Sequence, residues 1–265
     1  MPNFSDNPDD WDSYHTLVDS CPAAIALDFA VGEHAPIEAR PGLLAVLIHM
    51  NEPGEHGMGD GVDPEALRHV EQQIVYAFEA KIDALFVGRV RSQGVWQLYF
   101  YTAETPDIEA TATELLSGFS GWKQDIHVRT DPDWEMYFEL LFPDRERLQW
   151  MRNRKFCEAL AAEGDPLVFP RRIDHYAYFA TAADRQSFID AIVLDEYEVE
   201  ELAEDPEEND LGFQIQFFRS DNIELESIHE LVMKLVELAD NYDGMYDDWE
   251  TTLMVPKIDS DSLPN

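Results

Sequence analysis

The 265-residue chain carries 55 acidic against 18 basic side chains, a formal net charge of −37, and is 45% apolar and 12% aromatic. A field of that sign excludes nucleic acid and anionic membrane as ordinary direct partners, and the apolar content excludes a disordered acidic tail. No run approaches the roughly 18 apolar residues that span a bilayer, and the acidic stretch Met1 to Tyr14 is unlike a secretory signal, so the expected location is the cytoplasm.

In chain order, Tyr14 to Val18 and Ala23 to Phe29 predict a hairpin extending the first sheet. Leu43 to Met50 is an almost continuous apolar strand, followed by a loop with Gly54, Gly57, Gly59 and Gly61 and the helix start Asp63-Pro64. Leu67, Val70, Ile74 and Phe78 stripe that helix. Two β-rich runs, Ile82 to Val90 and Val95 to Tyr101, flank a turn over Arg91 to Gly94. A second helix opens at Pro106, carries Ile108, Ala112 and Leu115, and stops near Gly118; a strand over Trp122 to Arg129 closes the set. Asp131 to Trp134 predicts a capped helix running to Pro143, and Asp144 to Ala162 a long helix ending at Gly164-Asp165-Pro166.

The second half repeats the order. Ile173 to Phe179 is a strand, Thr181 to Asp184 a helix start, and Phe188, Ile189 and Ile192 the helix's apolar face. A strand around Tyr197 and Val199 and an alternating one through Leu211, Phe213, Ile215 and Phe217 precede a helix capped by Asp221-Asn222 and striped by Leu225, Ile228, Val232, Leu235 and Ala239. A last strand covers Met245 to Met254. The expected fold class is therefore α+β: two ferredoxin-like (βαββαβ) modules with antiparallel sheets joined by a helical segment, with domains over residues 1–143 and 144–265.

Ten of the sixteen residues from Asp195 to Asp210 are carboxylates, with no base among them. Such density suits a basic protein partner; the alternative is a surface adaptation for solubility or high salt. Arg145, Arg147, Arg152, Arg154, Lys155, Arg171 and Arg172 gather seven of the 18 bases, and they are expected to face the protein's own acids.

Motifs for chemistry fail individually. The glycine-rich loop is ringed by Glu52, Glu55, Asp60 and Asp63 and has no Walker lysine, so no phosphate cradle is expected. Asn241, Asp243, Gly244 and Glu250 match four places of a calcium loop, but Ala239 stands where its first aspartate belongs. His49, His56, His127 and His175 show no metal-ligand spacing, and Cys21 and Cys157 no CxxC pair. No metal, cofactor or catalytic residue is expected. Two other classes remain: an enzyme of the first module using the glycine-rich loop with Tyr99, Tyr101 or His49, and a self-associating structural module.

From Glu163-Gly164-Asp165-Pro166, through Ile173-Asp-His-Tyr-Ala-Tyr-Phe179, to Leu238-Ala-Asp-Asn-Tyr-Asp-Gly-Met-Tyr-Asp-Asp-Trp249, the second half resembles the regulator of ribonuclease E activity B family. The first half, through Val87-Gly88-Arg89, Tyr99-x-Tyr101 and Asp131-Pro-Asp-Trp134-x-x-Tyr137, resembles a bacterial domain family of unknown function that commonly precedes that module. The resemblance implies a non-catalytic acidic regulator that restrains RNA decay by binding an arginine-rich region of a ribonuclease E-type endonuclease. The candidate partner-binding residues are Asp195, Glu196, Glu198, Glu200, Glu201, Glu204, Asp205, Glu207, Glu208 and Asp210, with Tyr246, Asp247 and Trp249 of the closing motif.

Overall fold

In the computed structural model, residues 9–59, 64–103, 107–119, 121–204 and 211–255 are described. Two compact units emerge, Met1–Asp144 and Arg145–Asn265. Among the described residues, no helix is long and apolar enough to cross a membrane.

The first unit runs β1 (Trp11–Val18), β2 (Cys21–Asp28), a short helix α1 (Phe29–Gly32), β3 (Gly42–His49), α2 (Pro64–Ile82), β4 (Leu85–Ser92), β5 (Val95–Thr102), α3 (Ile108–Leu116) and β6 (Lys123–Thr130). Its six strands are ordered β1-β2-β4-β5-β3-β6, with every pairing antiparallel. Taken alone, the four strands β3 to β6 are ordered β6-β3-β5-β4 across the sheet, the ferredoxin-like plan, and the β1–β2 hairpin widens it at the β4 edge. Leu44, Val46, Ile48, Leu98 and Phe100 point from the sheet onto Leu67, Ile74 and Phe78 of α2 and Ala112 of α3. Each such side chain contributes about 1.5–3 kcal/mol on burial.

Three local expectations are corrected here. Helix α2 keeps Ile82, which was read as strand: Asp83 takes the left-handed region (φ 50°), ending the helix before β4 begins at Leu85. The β4–β5 turn needs two residues, Gln93 and Gly94, both at positive φ, as in a type I′ hairpin. Residues Met136–Leu141 form a π-helix, with Phe142 N donating five residues back to Tyr137 O at 2.8 Å. Its start is capped as predicted from Asp131, whose carboxylate accepts from Glu135 N and Met136 N at 3.0 and 3.1 Å.

The second unit runs α4 (Arg145–Ala162), β7 (Arg171–Phe179), α5 (Ala182–Leu194), β8 (Glu198–Glu204), β9 (Phe213–Asp221), α6 (Leu225–Asp240) and β10 (Gly244–Thr251). Its sheet order, β10-β7-β9-β8, is again the ferredoxin-like plan with antiparallel pairings. Ile173, Ala177, Phe179, Ile215 and Phe217 meet Phe188 and Ile192 of α5 and Ile228, Val232 and Ala239 of α6. Thr181 caps α5, accepting from Asp184 N at 3.2 Å. Asp221 ends β9 instead of capping α6; Asn222 alone turns the chain, accepting from Glu224 N at 3.0 Å. Gly244 has no substitute, because a Cβ there would lie 2.3 Å from the Phe179 ring.

Candidate functional site

The acidic segment begins where α5 stops. Asp195 caps that helix and exposed Glu196 turns the chain at φ 65°. β8 then carries Glu198, Glu200, Glu201 and Glu204 along the outer edge of the sheet. Pairing with β9 puts Glu198 opposite Phe218 and Glu201 opposite Gln216, on the face away from the core. Val199 and Leu202 lie opposite Phe217 and Ile215, on the helix side. A bulge between Val199 and Glu201 absorbs Glu200. Bulges and charges on an edge strand discourage indiscriminate strand pairing while leaving its outer backbone groups open.

The segment has no base of its own, but tertiary structure brings three to it. Arg172 of β7 reaches Glu200 at 3.2 Å and Asp174 at 2.5 Å, its guanidinium 3.7 Å from the Phe218 ring centre. Arg185 of α5, buried, holds Glu204 at 2.8 Å and donates to Ala203 O and Gln214 O at 2.9 and 3.1 Å. Arg219 pairs with Asp221 at 2.7 Å, donates to the Asp195 carbonyl at 2.7 Å, and lies 4.2 Å from the Tyr197 ring centre. The cluster is therefore partly compensated, whereas the sequence shows it bare. Glu196, Glu198 and Glu201 remain exposed without an ion pair among the described residues. Asp205, Glu207, Glu208 and Asp210 lie outside the described residues.

The closing motif goes elsewhere. β10 is the opposite edge, three strand spacings or about 14 Å from β8. Asp247 is exposed in a bulge between Tyr246 and Trp249. Tyr246 and Trp249 are only 5% and 4% exposed, so they build the core instead of presenting a surface. The Trp249 ring stands edge-on to Phe156 and its Nε1 donates to Asn153 Oδ1 at 2.9 Å, fixing β10 to α4. The Tyr246 hydroxyl bonds His175 Nδ1 at 2.9 Å.

Arginines of the basic stretch also turn inward on the protein's own acids, with Arg145 paired to Asp240, Arg171 to Asp165 and Arg172 to Asp174. Glu250, the twelfth place of the calcium-like loop, accepts from Tyr176 Oη at 2.5 Å within β10. Among the described residues no group of three or more His, Cys, Asp or Glu is placed to hold a metal ion.

In the first unit, the motif tyrosines are architectural. Tyr101 is fully buried, stacks on Trp134 at 3.8 Å and donates to Asp131 at 2.6 Å, while the Tyr137 hydroxyl donates to Asp28 O at 2.8 Å. Burial pushes Tyr99 up to about 12, so its hydroxyl keeps its proton near neutral pH and supplies no base. His49 pairs with Asp125 at 2.6 Å at the far end of β3, four residues or about 13 Å from the Tyr99 position. The glycine-rich loop has a structural reason as well: Gly57 O accepts from Gly94 N at 2.8 Å, clasping the hairpin tip, and a Cβ on Gly57 would meet backbone at 2.8 Å.

Comparison with curated proteins gives no match. Protein-family models match residues 9–142 to a family of unknown function, DUF695, and residues 150–251 to regulator of ribonuclease activity B. The chain thus belongs to the DUF695 family, and its second module is similar to the regulator of ribonuclease activity B family.

Proposed function

We propose that the protein is a non-catalytic regulator of RNA decay in the cytoplasm, whose residues 144–265 bind an arginine-rich region of a ribonuclease E-type endonuclease through the β8 edge. The observation that carries this reading is the pair Glu198 and Glu201 on the open β8 edge, with Glu196 in the turn before it, all exposed and without an ion pair among the described residues, in the module that matches the ribonuclease-regulator family. A flexible arginine-rich segment supplies the missing counter-charges by charge-assisted hydrogen bonds and is drawn in by long-range steering. Asp195, Glu200, Glu204 and the carboxylates from Asp205 to Asp210 deepen the same field, and Asp247 extends it at the opposite edge. Tyr246 and Trp249 act from within, by holding β10 in place. Residues 1–143 form a separate domain.

Titration with an arginine-rich peptide tests this. The informative variant changes Glu196, Glu198, Glu201, Glu207 and Glu208 to Gln and Asp205 to Asn, sparing Glu200 and Glu204 because they are ion-paired within the fold to Arg172 and Arg185. We expect binding at least about tenfold weaker at low salt, and for the unaltered protein a steep fall toward physiological salt, where the Debye length is about 8 Å. Equal binding by both proteins at low salt would leave surface adaptation as the better account.

A further inference from the structure

A small cavity in the first module concentrates positive charge in a chain of net charge −37. Because the β1–β2 hairpin widens the sheet, α2 leaves part of the helix-side face uncovered. The register sets what lies there. Ser13 and His15 of β1 stand opposite Ala26 and Ala24 of β2, which stand opposite Arg89 and Arg91 of β4, and Arg91 stands opposite Trp96 of β5. With two alanines at the centre of that row, the floor is low; the space above it, about 230 Å³, is walled by Arg68 from α2.

Its three arginines are not equivalent. Arg89 Nη1 is held at 2.8 Å by Glu71, whose other oxygen accepts from Trp96 Nε1 at 2.8 Å, so this carboxylate is used up. Arg91 is different. Its guanidinium lies 5.6 Å from the Trp96 ring centre, its Nε is buried without a hydrogen-bond partner, and among the described residues no carboxylate pairs with it. In a chain with 55 acids that is a selective omission. A desolvated guanidinium N–H without an acceptor is costly unless an acceptor comes from outside. Beyond Arg89 the groove turns acidic, with Asp9, Asp28, Glu71 and Glu79 lining a neighbouring cavity, so an anion has favourable contacts only on the Arg91 side.

We propose that this cavity is a binding site for a small organic oxyanion, a carboxylate or phosphate ester. Its charged end meets Arg91 in fork-like hydrogen bonds, with Arg68 at the wall, and its flat or apolar body lies along Trp96 over Ala24 and Ala26. This site is independent of the β8 edge and gives the first module a ligand of its own.

Calorimetric titration of the full chain with inorganic phosphate, acetate and benzoate separates the candidate sources of the anionic group. Saturable binding of at least one is expected below about 10 mM, with benzoate ahead of acetate if the body packs on Trp96. Arg91→Met keeps the aliphatic stem over the ring and should weaken that binding at least tenfold without lowering the melting temperature of the free protein. Ala24→Leu fills the floor from a different strand and should abolish binding independently, while the exposed Arg152→Met should leave it unchanged. Absence of saturable binding by all three anions, or undiminished binding in either Arg91→Met or Ala24→Leu, overturns the proposal.

Discussion

Replacing Asp165 by Asn is expected to destabilise the second module by about 3–5 kcal/mol, the usual loss when one member of a buried ion pair is removed. Arg171 and Asp165 have side chains 3% and 0% exposed and form a two-pronged pair in which Nη2 meets Oδ1 at 2.9 Å. The same carboxylate accepts from Leu167 N at 2.9 Å and Met254 N at 2.8 Å, and Arg171 donates to Phe169 O at 3.2 Å and Thr252 O at 3.1 Å. One pair thus ties the end of α4, the start of β7 and the chain after β10. The Arg171 guanidinium, then the backbone donors, hold the Asp165 carboxyl well below the usual carboxylate range. Its contribution is therefore present above the unfolded value near 4 and is lost as pH falls below it. Arg171→Met should cost a similar amount. The double variant should cost much less than the sum, since either single change already strands its partner. Denaturant unfolding of the three variants checks this; strictly additive losses, or single losses below about 1 kcal/mol, would contradict it.

Acidification should weaken the same module before Asp165 titrates, and His175 should be the reason. Its ring is fully buried between β7 and β9, stacked on Phe217 with Tyr197 edge-on, and its Nε2 has no hydrogen-bond partner. Burial, and secondarily the Arg219 charge, push it down to about 3, with Asp174 opposing weakly. The folded state thus holds the neutral ring while the unfolded chain takes up a proton near pH 6.5, so stability is fully present above that value and declines as pH falls toward 3. Between pH 6.5 and 4 the loss should be on the order of 3 kcal/mol. His229, lowered mainly by burial, adds in the same direction. Relief of acidic self-repulsion acts oppositely, and comparison with His175→Leu cancels it. The unaltered protein should lose stability relative to that variant across the window, and parallel pH profiles would refute the assignment.

The regular elements were legible because their signals are local. The stripe Leu225, Ile228, Val232, Leu235 and Ala239 defines α6, and alternation through Phe213, Ile215 and Phe217 defines β9, without knowledge of neighbours. What the sequence hid depends on residues brought together from a distance. Arg172, Arg185 and Arg219 are scattered over three elements, so an acidic run that looks uncompensated is in fact partly paired. Alternation along β7 offered one clue: Arg172 and Asp174 share the face away from the core. Tyr246 and Trp249 sit in a polar motif that reads as surface, and only the bulge of β10 turns both inward on either side of exposed Asp247. The Arg91 cavity needs the register of four strands and was invisible in any window of sequence.

Restraint of a nuclease by contact with its basic region is read out in cleavage kinetics. A ribonuclease E-type endonuclease is assayed on a single-site RNA, intact and with its arginine-rich region removed, in the presence and absence of the full chain. The intact enzyme is expected to be slowed several-fold and the truncated enzyme not, and the six-charge variant to lose the effect at low salt while folding normally. Equal slowing of both enzymes, or undiminished slowing by the six-charge variant, would contradict it.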